Sequence, residues 1–311
     1  KIKYDGTKTG GKLVLSSSDL GPLLSAAGAG NKIISGRQIN FDGDIKYQDE
    51  VLSVVNSKFV FGTTSGKADM AVKMAEGATS ATVNLAFGKL DLDELMAATK
   101  APATEETAPK PAPTKEGNSN ITAEVTATAD EVILKTASYK KLNVTASIDG
   151  DIITLRPFSI QTPGSGNIET YGVLTKTTRG WNYDGNLAAN ANDMREFVKS
   201  ATGSPLENVG PNGLKKFDMQ ANVTAAIGDV ASVNFSGLKM QLDDSNINGA
   251  LSVKTEKPML VSFKGSIDKL NLANYTAKKA ATDEGTSGGL KGNKKLEFDW
   301  LKKLPVNADI A

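Results

Sequence analysis

The chain carries neither cysteine nor histidine in 311 residues. Without cysteine there is no disulfide and no CxxC redox pair, and without either residue there is no Cys/His zinc site. The His-dependent serine and cysteine triads fall with them. Exported proteins also do without cysteine, so this absence leaves the compartment open. Aromatic residues make up only 6%, and the two tryptophans, Trp181 and Trp300, are read as core or sheet-edge packing. No apolar run approaches the roughly 20 residues that a helix needs to cross a bilayer. A leader pattern is missing as well. The 36 basic and 35 acidic side chains are interspersed and leave a net charge of +1, which gives no electrostatic footprint for nucleic acid. The densest basic group, Lys291, Lys294 and Lys295, sits in a Gly-rich loop and reads as solvated.

Apolar residues are scarce too, at 39% against about 45–50% in ordinary domains. A compact globule of this length would carry more to bury. A one-layer sheet with a single apolar face fits the shortage. Disorder would share the low hydrophobicity, but not the regular alternation of Val, Ile and Phe.

That alternation is the strongest positive signal. Apolar residues take every second position in Ile121–Ala127, Leu142–Ile148, Phe217–Ala225, Leu238–Leu242, Leu251–Val253 and Met259–Phe263. Period two means half-buried strands with one wet face. Turn residues stand between them at Asp149-Gly150-Asp151, Pro163-Gly164-Ser165-Gly166, Arg179-Gly180 and Asn248-Gly249. Strands joined this closely are expected to pair antiparallel.

Four times the alternation runs into a short amphipathic segment opened by an acid or amide, at Asp19, Asp91, Asp193 and Asn271. Setting aside a Pro/Ala/Thr/Glu stretch at Ala101–Gly117, the spacing is roughly 70 to 80 residues, the mark of a repeat of several strands closed by one helix. Helices are expected at Leu90–Ala98 and Ala191–Ala201, with further ones at Leu20–Ala27 and Leu272–Lys279. Asp91, Asp193 and Asn271 suit N-cap or first-turn positions, and Glu94 and Glu196 follow three residues after the first two. The chain therefore divides into a β-rich unit over 1–100, a Pro/Ala/Thr-rich linker over 101–118, and β-meander units with closing helices over 119–205 and 206–280. A flexible loop and the start of a further unit occupy 281–311. The alternation still in progress from Leu304 to Ile310 reads as part of a longer protein.

Chemical sites are few. The acidic pairs Asp42/Asp44, Asp91/Asp93, Asp149/Asp151 and Asp243/Asp244 suit turns and caps, and none lies in a calcium-loop frame. The glycines at 164, 166, 288, 289 and 292 match no phosphate-binding loop. The NxS/T triplets at Asn120, Asn143, Asn222, Asn234 and Asn274 follow from Asn and Thr alternating on wet faces. No metal, cofactor or catalytic residue is expected. The apolar strand face remains, either as a dry sandwich core or as an open trough for acyl chains. Its lining by alternation is Val125, Leu142, Val144, Met219, Val223, Leu251, Val253, Val261 and Phe263.

The order of elements from ITAEVTATADEVILKTASYKKLNVTASIDGDIITLRPFSIQTPGSGNIETYGVLT through NDMREFV, FDMQANVTAAIGDVASVNFSGLKMQLDDSNINGALSV, IDKLNLANY and FDWLKKLPVNADIA resembles the AsmA-like proteins of Gram-negative envelopes. These are relatives of the TamB-like and repeating β-groove bridge proteins. The resemblance covers most of 119–311, and 1–98 share it more weakly. It implies an all-β chain with few short helices: an extended, curved, twisted antiparallel sheet of repeated multi-strand units forming an apolar groove. It also implies a periplasmic protein tethered to the inner membrane by an anchor outside this stretch. Such a protein is non-enzymatic, conducts phospholipid or another acyl-chain lipid, and supports outer-membrane assembly, with a possible outer-membrane partner. Two rivals stay open: an adhesive β-sandwich or solenoid binding a protein or glycan, and a carboxylate- or lysine-based enzyme.

Overall fold

The computed structural model describes residues 2–5, 8–19, 37–75, 78–99, 120–204, 210, 213–228, 231–255, 259–269 and 306–310. The expected helices at 20–27 and 272–279, Asn271, the linker at 101–118, the flexible loop expected after 281 and Trp300 lie outside the described residues. The chain is all-β with two short helices among those residues. It divides into two compact units, Lys1–Pro163 with Asn167–Thr175, and Gly164–Gly166 with Lys176–Ala311.

The first unit contains β1 (Ile2–Asp5), β2 (Lys8–Ser17), β3 (Ile39–Gln48), β4 (Val51–Phe61), β5 (Thr64–Ala75) and β6 (Ala78–Asp91). Helix α1 (Leu92–Thr99) follows, then β7 (Asn120–Leu134), β8 (Ala137–Asp149), β9 (Ile152–Thr162) and most of β10 (Gly166–Thr177). The strands lie side by side in sequence order, and that order does not return on itself. β6 shows why the sequence forms a sheet. Thr79, Ala81, Val83, Leu85 and Phe87 turn to the half-buried face, while Ser80, Thr82, Asn84 and Ala86 face water. The tightest packing lies at the α1 end, where Ala129, Val132, Tyr139 and Ile160 are buried and Leu92 packs against them.

One irregularity in this unit is resolved by a single hydroxyl. The β4–β5 register slips between Val54 and Phe59, so Ala68 of β5 has no ladder partner in β4. Ser57, 1% exposed, supplies both halves of the missing pair: its hydroxyl donates to the Ala68 carbonyl and accepts from the Ala68 N–H. Such a bulge bends and twists its strand locally. Ser57→Ala leaves two backbone groups unpaired at a buried site and is expected to cost about 1–3 kcal/mol, read as a drop in the urea midpoint. An unchanged midpoint would mean that water replaces the hydroxyl.

The second unit contains β11 (Gly180–Ala191), α2 (Met194–Thr202), β12 (Phe217–Gly228), β13 (Ser232–Leu242), β14 (Ser245–Lys254), β15 (Leu260–Ile267) and β16 (Val306–Ile310), again in sequence order. The registers align side chains across five strands. Gly185 pairs with Val223, Val223 with Phe235, Phe235 with Leu251, and Leu251 with Phe263. A neighbouring row joins Tyr183, Ala225, Val233, Val253 and Val261. Directly opposed residues share a face. One face of this sheet is therefore apolar along both rows.

Two pairings depart from the expected antiparallel order. β6 and β7 run parallel, from Ala78 against Asn120 to Asp91 against Ile133, and β15 and β16 run parallel as well. A parallel pair needs a crossover, and each of these follows a marker, Asp91 in one case and Asn271 in the other. The connections after Asp19 and Asp193 instead join antiparallel pairs, β2 with β3 and β11 with β12. The four steps thus alternate between two kinds.

A further correction concerns Asn248-Gly249, expected as a turn. Both residues lie inside β14. Gly249 opposes Gly265 of β15, and a β-carbon on either would strike the facing backbone. The glycine there serves a close approach of strands and does not reverse the chain.

Candidate functional site: an apolar strand face

In the first unit, Val125, Leu142 and Val144 fall on one face. Val125 opposes Ala146, Val144 opposes Ala127, and Leu142 opposes Ala129. The parallel pairing extends this face to Val83, Leu85 and Phe87 of β6. Phe87 meets Phe59 edge-on, with ring centroids 5.7 Å apart. In the second unit, Met219, Val223, Leu251, Val253, Val261 and Phe263 share the apolar face. Trp181, Tyr183, Phe235, Leu238 and Ile247 belong to it too by register. Their alternation was visible, but only the register across several strands places them in the same rows.

Burial along the second face is graded. Leu238 is 2% exposed and Val223 6%, and at the end where α2 lies its Phe197 ring stacks on the buried Phe217 at 6.1 Å. Leu251, Val253, Val261 and Phe263 are only half-buried, and Ile227 at the far end is 51% exposed. A dry core between two sheets would bury them all alike. Every described strand of this unit belongs to the one sheet, and α2 meets its apolar side through Phe197 on Phe217.

The helices are held by carboxylates. Asp91 Oδ1 accepts from the Glu94 N–H at 2.9 Å, and Asp193 accepts from the Glu196 N–H at 3.1 Å. The reciprocal arm of a capping box is absent in both. The Glu94 carboxylate instead accepts from the Thr63 N–H and hydroxyl, each at 2.7 Å, and meets Arg37 at 3.1 Å. Glu196 pairs with Lys199 along the helix. The Glu94 N–H at its carboxylate, with help from the Thr63 hydroxyl and Lys89, holds Asp91 below its ordinary value. For Glu94, burial pushes upward, but Thr63 and Arg37 together outweigh it and the net shift is downward.

Other acids lock turns onto connections. Asp93 accepts the backbone N–H groups of Lys135 and Thr136, each at 2.7 Å, at the β7–β8 turn. Asp243, in the β13–β14 turn, accepts those of Leu214 and Lys215 at 2.7 Å and of Lys216 at 3.0 Å. Asp268 sits below its ordinary value because the Asn246 backbone N–H and side-chain amide donate to it. Asp42 pairs with Lys12 at 2.8 Å, and Asp44 takes the Asn56 amide at 3.1 Å. The acidic pairs serve turns, caps and surface pairs, and these contacts gather no dyad around a cleft. Asn222 and Asn234 lie on the wet face, bonded to Asn186 and Ser252.

Asp243 has φ 51, a conformation that asparagine also tolerates. Asp243→Asn is therefore expected to keep the backbone conformation yet lose the charge assistance and one of the two acceptor oxygens, about 1–2 kcal/mol. Faster amide exchange at Leu214–Lys216 is the reading that checks it.

Comparison with known protein families, curated proteins and solved structures finds no match.

Proposed function

We propose that the protein is a non-enzymatic segment of an envelope lipid bridge, holding or conducting phospholipid or another acyl-chain lipid along its apolar strand face. In this reading it is an AsmA-like protein that works in the periplasm, tethered to the inner membrane through an anchor elsewhere in a longer protein, and supports outer-membrane assembly and lipid homeostasis. The supporting observation is the graded burial in the second unit: an apolar face covered at one end by α2 and half-open along Leu251, Val253, Val261 and Phe263. Extended apolar surface in water calls for a greasy occupant. Acyl chains meet such a face with dispersion and hydrophobic contact alone, so no titratable or nucleophilic group is required of it.

Phe263 is the position to test, because it is half-buried and its row partner Leu251 is too. Val223, at 6% exposure, is a poor probe, since an unpaired charge buried there would itself disrupt the fold. Native mass spectrometry of the chain isolated from its membrane source should find bound phospholipid on the wild type. Phe263→Asp should lose that lipid with the circular dichroism and melting temperature unchanged. Absence of lipid from the wild type, or unfolding of Phe263→Asp, identifies the face as a closed core and sinks the proposal.

A further inference from the structure

The turns of the second unit that lie away from α2 carry a different surface from the rest of its sheet. Ile227 is 51% exposed, Met259 44% and Leu260 39%. Trp181, half-buried, opposes Ile227 in register. Adjacent to this pair, Gly180 opposes Gly228, and a β-carbon on either would strike the other strand's backbone. The close approach fixes Trp181 and Ile227 at the tip of the β11–β12 pair. Lys254 opposes Leu260 across β14 and β15, and Arg179 immediately precedes Gly180. Both basic side chains are exposed, as is Lys176.

Exposed apolar residues scattered singly need no explanation. Here three large ones and a tryptophan share one end of one sheet, Trp181 and Ile227 on its apolar face and Leu260 with Lys254 on the other, beside basic residues. The described residues of this end, 176–182, 225–228, 231–233, 252–255 and 259–262, include no Asp or Glu, and the intervening sequence adds Asp229, Glu256 and Lys257. Positive charge therefore outnumbers negative. The first unit shows the contrast. Ile121 and Met74 are exposed at the turn end away from α1, but the acids Asp49, Glu50, Asp149 and Asp151 surround that end.

We infer that the Trp181–Ile227–Met259–Leu260 lip of the second unit docks on the surface of an anionic lipid bilayer. Aliphatic side chains enter the acyl boundary, and tryptophan, amphipathic and rigid, settles at headgroup depth. Arg179 and Lys254 extend apolar stems along the same surface and keep their charges at the phosphates. A basic residue near an anionic membrane contributes about 1 kcal/mol, or roughly fivefold in partition. Charge complementarity selects the bilayer as occupant over an apolar protein surface, which offers nothing to the flanking cations. This contact lies at the tips of the strands, at the far end of the apolar face from α2, and docking there does not require lipid along the Leu251–Phe263 row.

The test uses the full chain carrying Trp300→Phe, so that Trp181 is the sole tryptophan. It is floated with vesicles of phosphatidylcholine, with or without phosphatidylglycerol, and with acyl-brominated phosphatidylcholine as quencher. Docking predicts flotation with the anionic vesicles, quenching of Trp181 by bromine, and weakening with added salt. Arg179→Gln with Lys254→Gln should lower the partition roughly 25-fold. Ile227→Ser with Met259→Ser and Leu260→Ser should abolish the quenching. Phe263→Asp should dock normally even where it has lost its bound lipid, which separates this inference from the strand-face proposal. Failure to float, flotation with Trp181 unquenched, or flotation indifferent to both sets of substitutions overturns it.

Discussion

Leu238→Ala is expected to destabilise the second unit by about 3 kcal/mol, whereas Leu251→Ala on the same face should cost only about 1 kcal/mol. The chemistry removed is identical, so the difference reports the surroundings. Leu238 is 2% exposed, and truncation there leaves a cavity that close-packed neighbours fill only in part. Leu251 is half-buried, two residues beyond the Gly249 that opposes Leu238, and its truncation mainly gives up contact with water-accessible space. Because the chain has two units, the pair is best read by native-state exchange of β12–β14 amides, which does not require a single unfolding step. A closed sandwich requires the two losses to be alike. Equal costs would therefore remove the physical basis for an open strand face.

What the sequence disclosed, and what it did not, divides along the range of the forces involved. Alternation in Ile121–Ala127 and Phe217–Ala225 names strands and faces because the side-chain period of a strand is local. Asp91 and Asp193 were legible as caps for the same reason, and each accepts the N–H three residues on. The β7–β8 turn was invisible. Lys135 and Thr136 both take positive φ, 50 and 63, without a glycine or asparagine between them. The Asp93 carboxylate, more than forty residues earlier, holds both of their N–H groups. The parallel pairing of β6 and β7 depends on a crossover that alternation does not encode. Nor could the alternation separate Val223 from Val253, since both follow the same period and only the folded sheet buries one and leaves the other half-open. Asn248-Gly249 misled because the same dipeptide serves a hairpin turn or a close strand approach, and a facing glycine, Gly265, decides which.

Glu94→Ala is expected to destabilise the first unit by about 2 kcal/mol and to flatten its response to acid. The carboxylate is 18% exposed and holds Arg37, the Thr63 hydroxyl and the Thr63 N–H; truncation strands Arg37 and the Thr63 N–H, while the hydroxyl keeps Asp91 as acceptor at 2.9 Å. Asp91 and Glu94 both titrate below their ordinary values of 3.8 and 4.5. A carboxyl whose folded value is depressed stabilises the fold fully above its unfolded value, and that contribution disappears as pH falls through the folded one. Wild-type protection of the α1 amides should therefore hold constant at neutral pH and fall once the medium drops below those ordinary values. In Glu94→Ala the protection starts lower and falls less steeply, because only Asp91 is left to titrate. Many exposed ion pairs contribute nothing measurable. If Glu94→Ala matches the wild type in both amide exchange and acid profile, the Glu94–Arg37 pair is one of them, and the seat of α1 rests on Leu92 and its apolar neighbours alone.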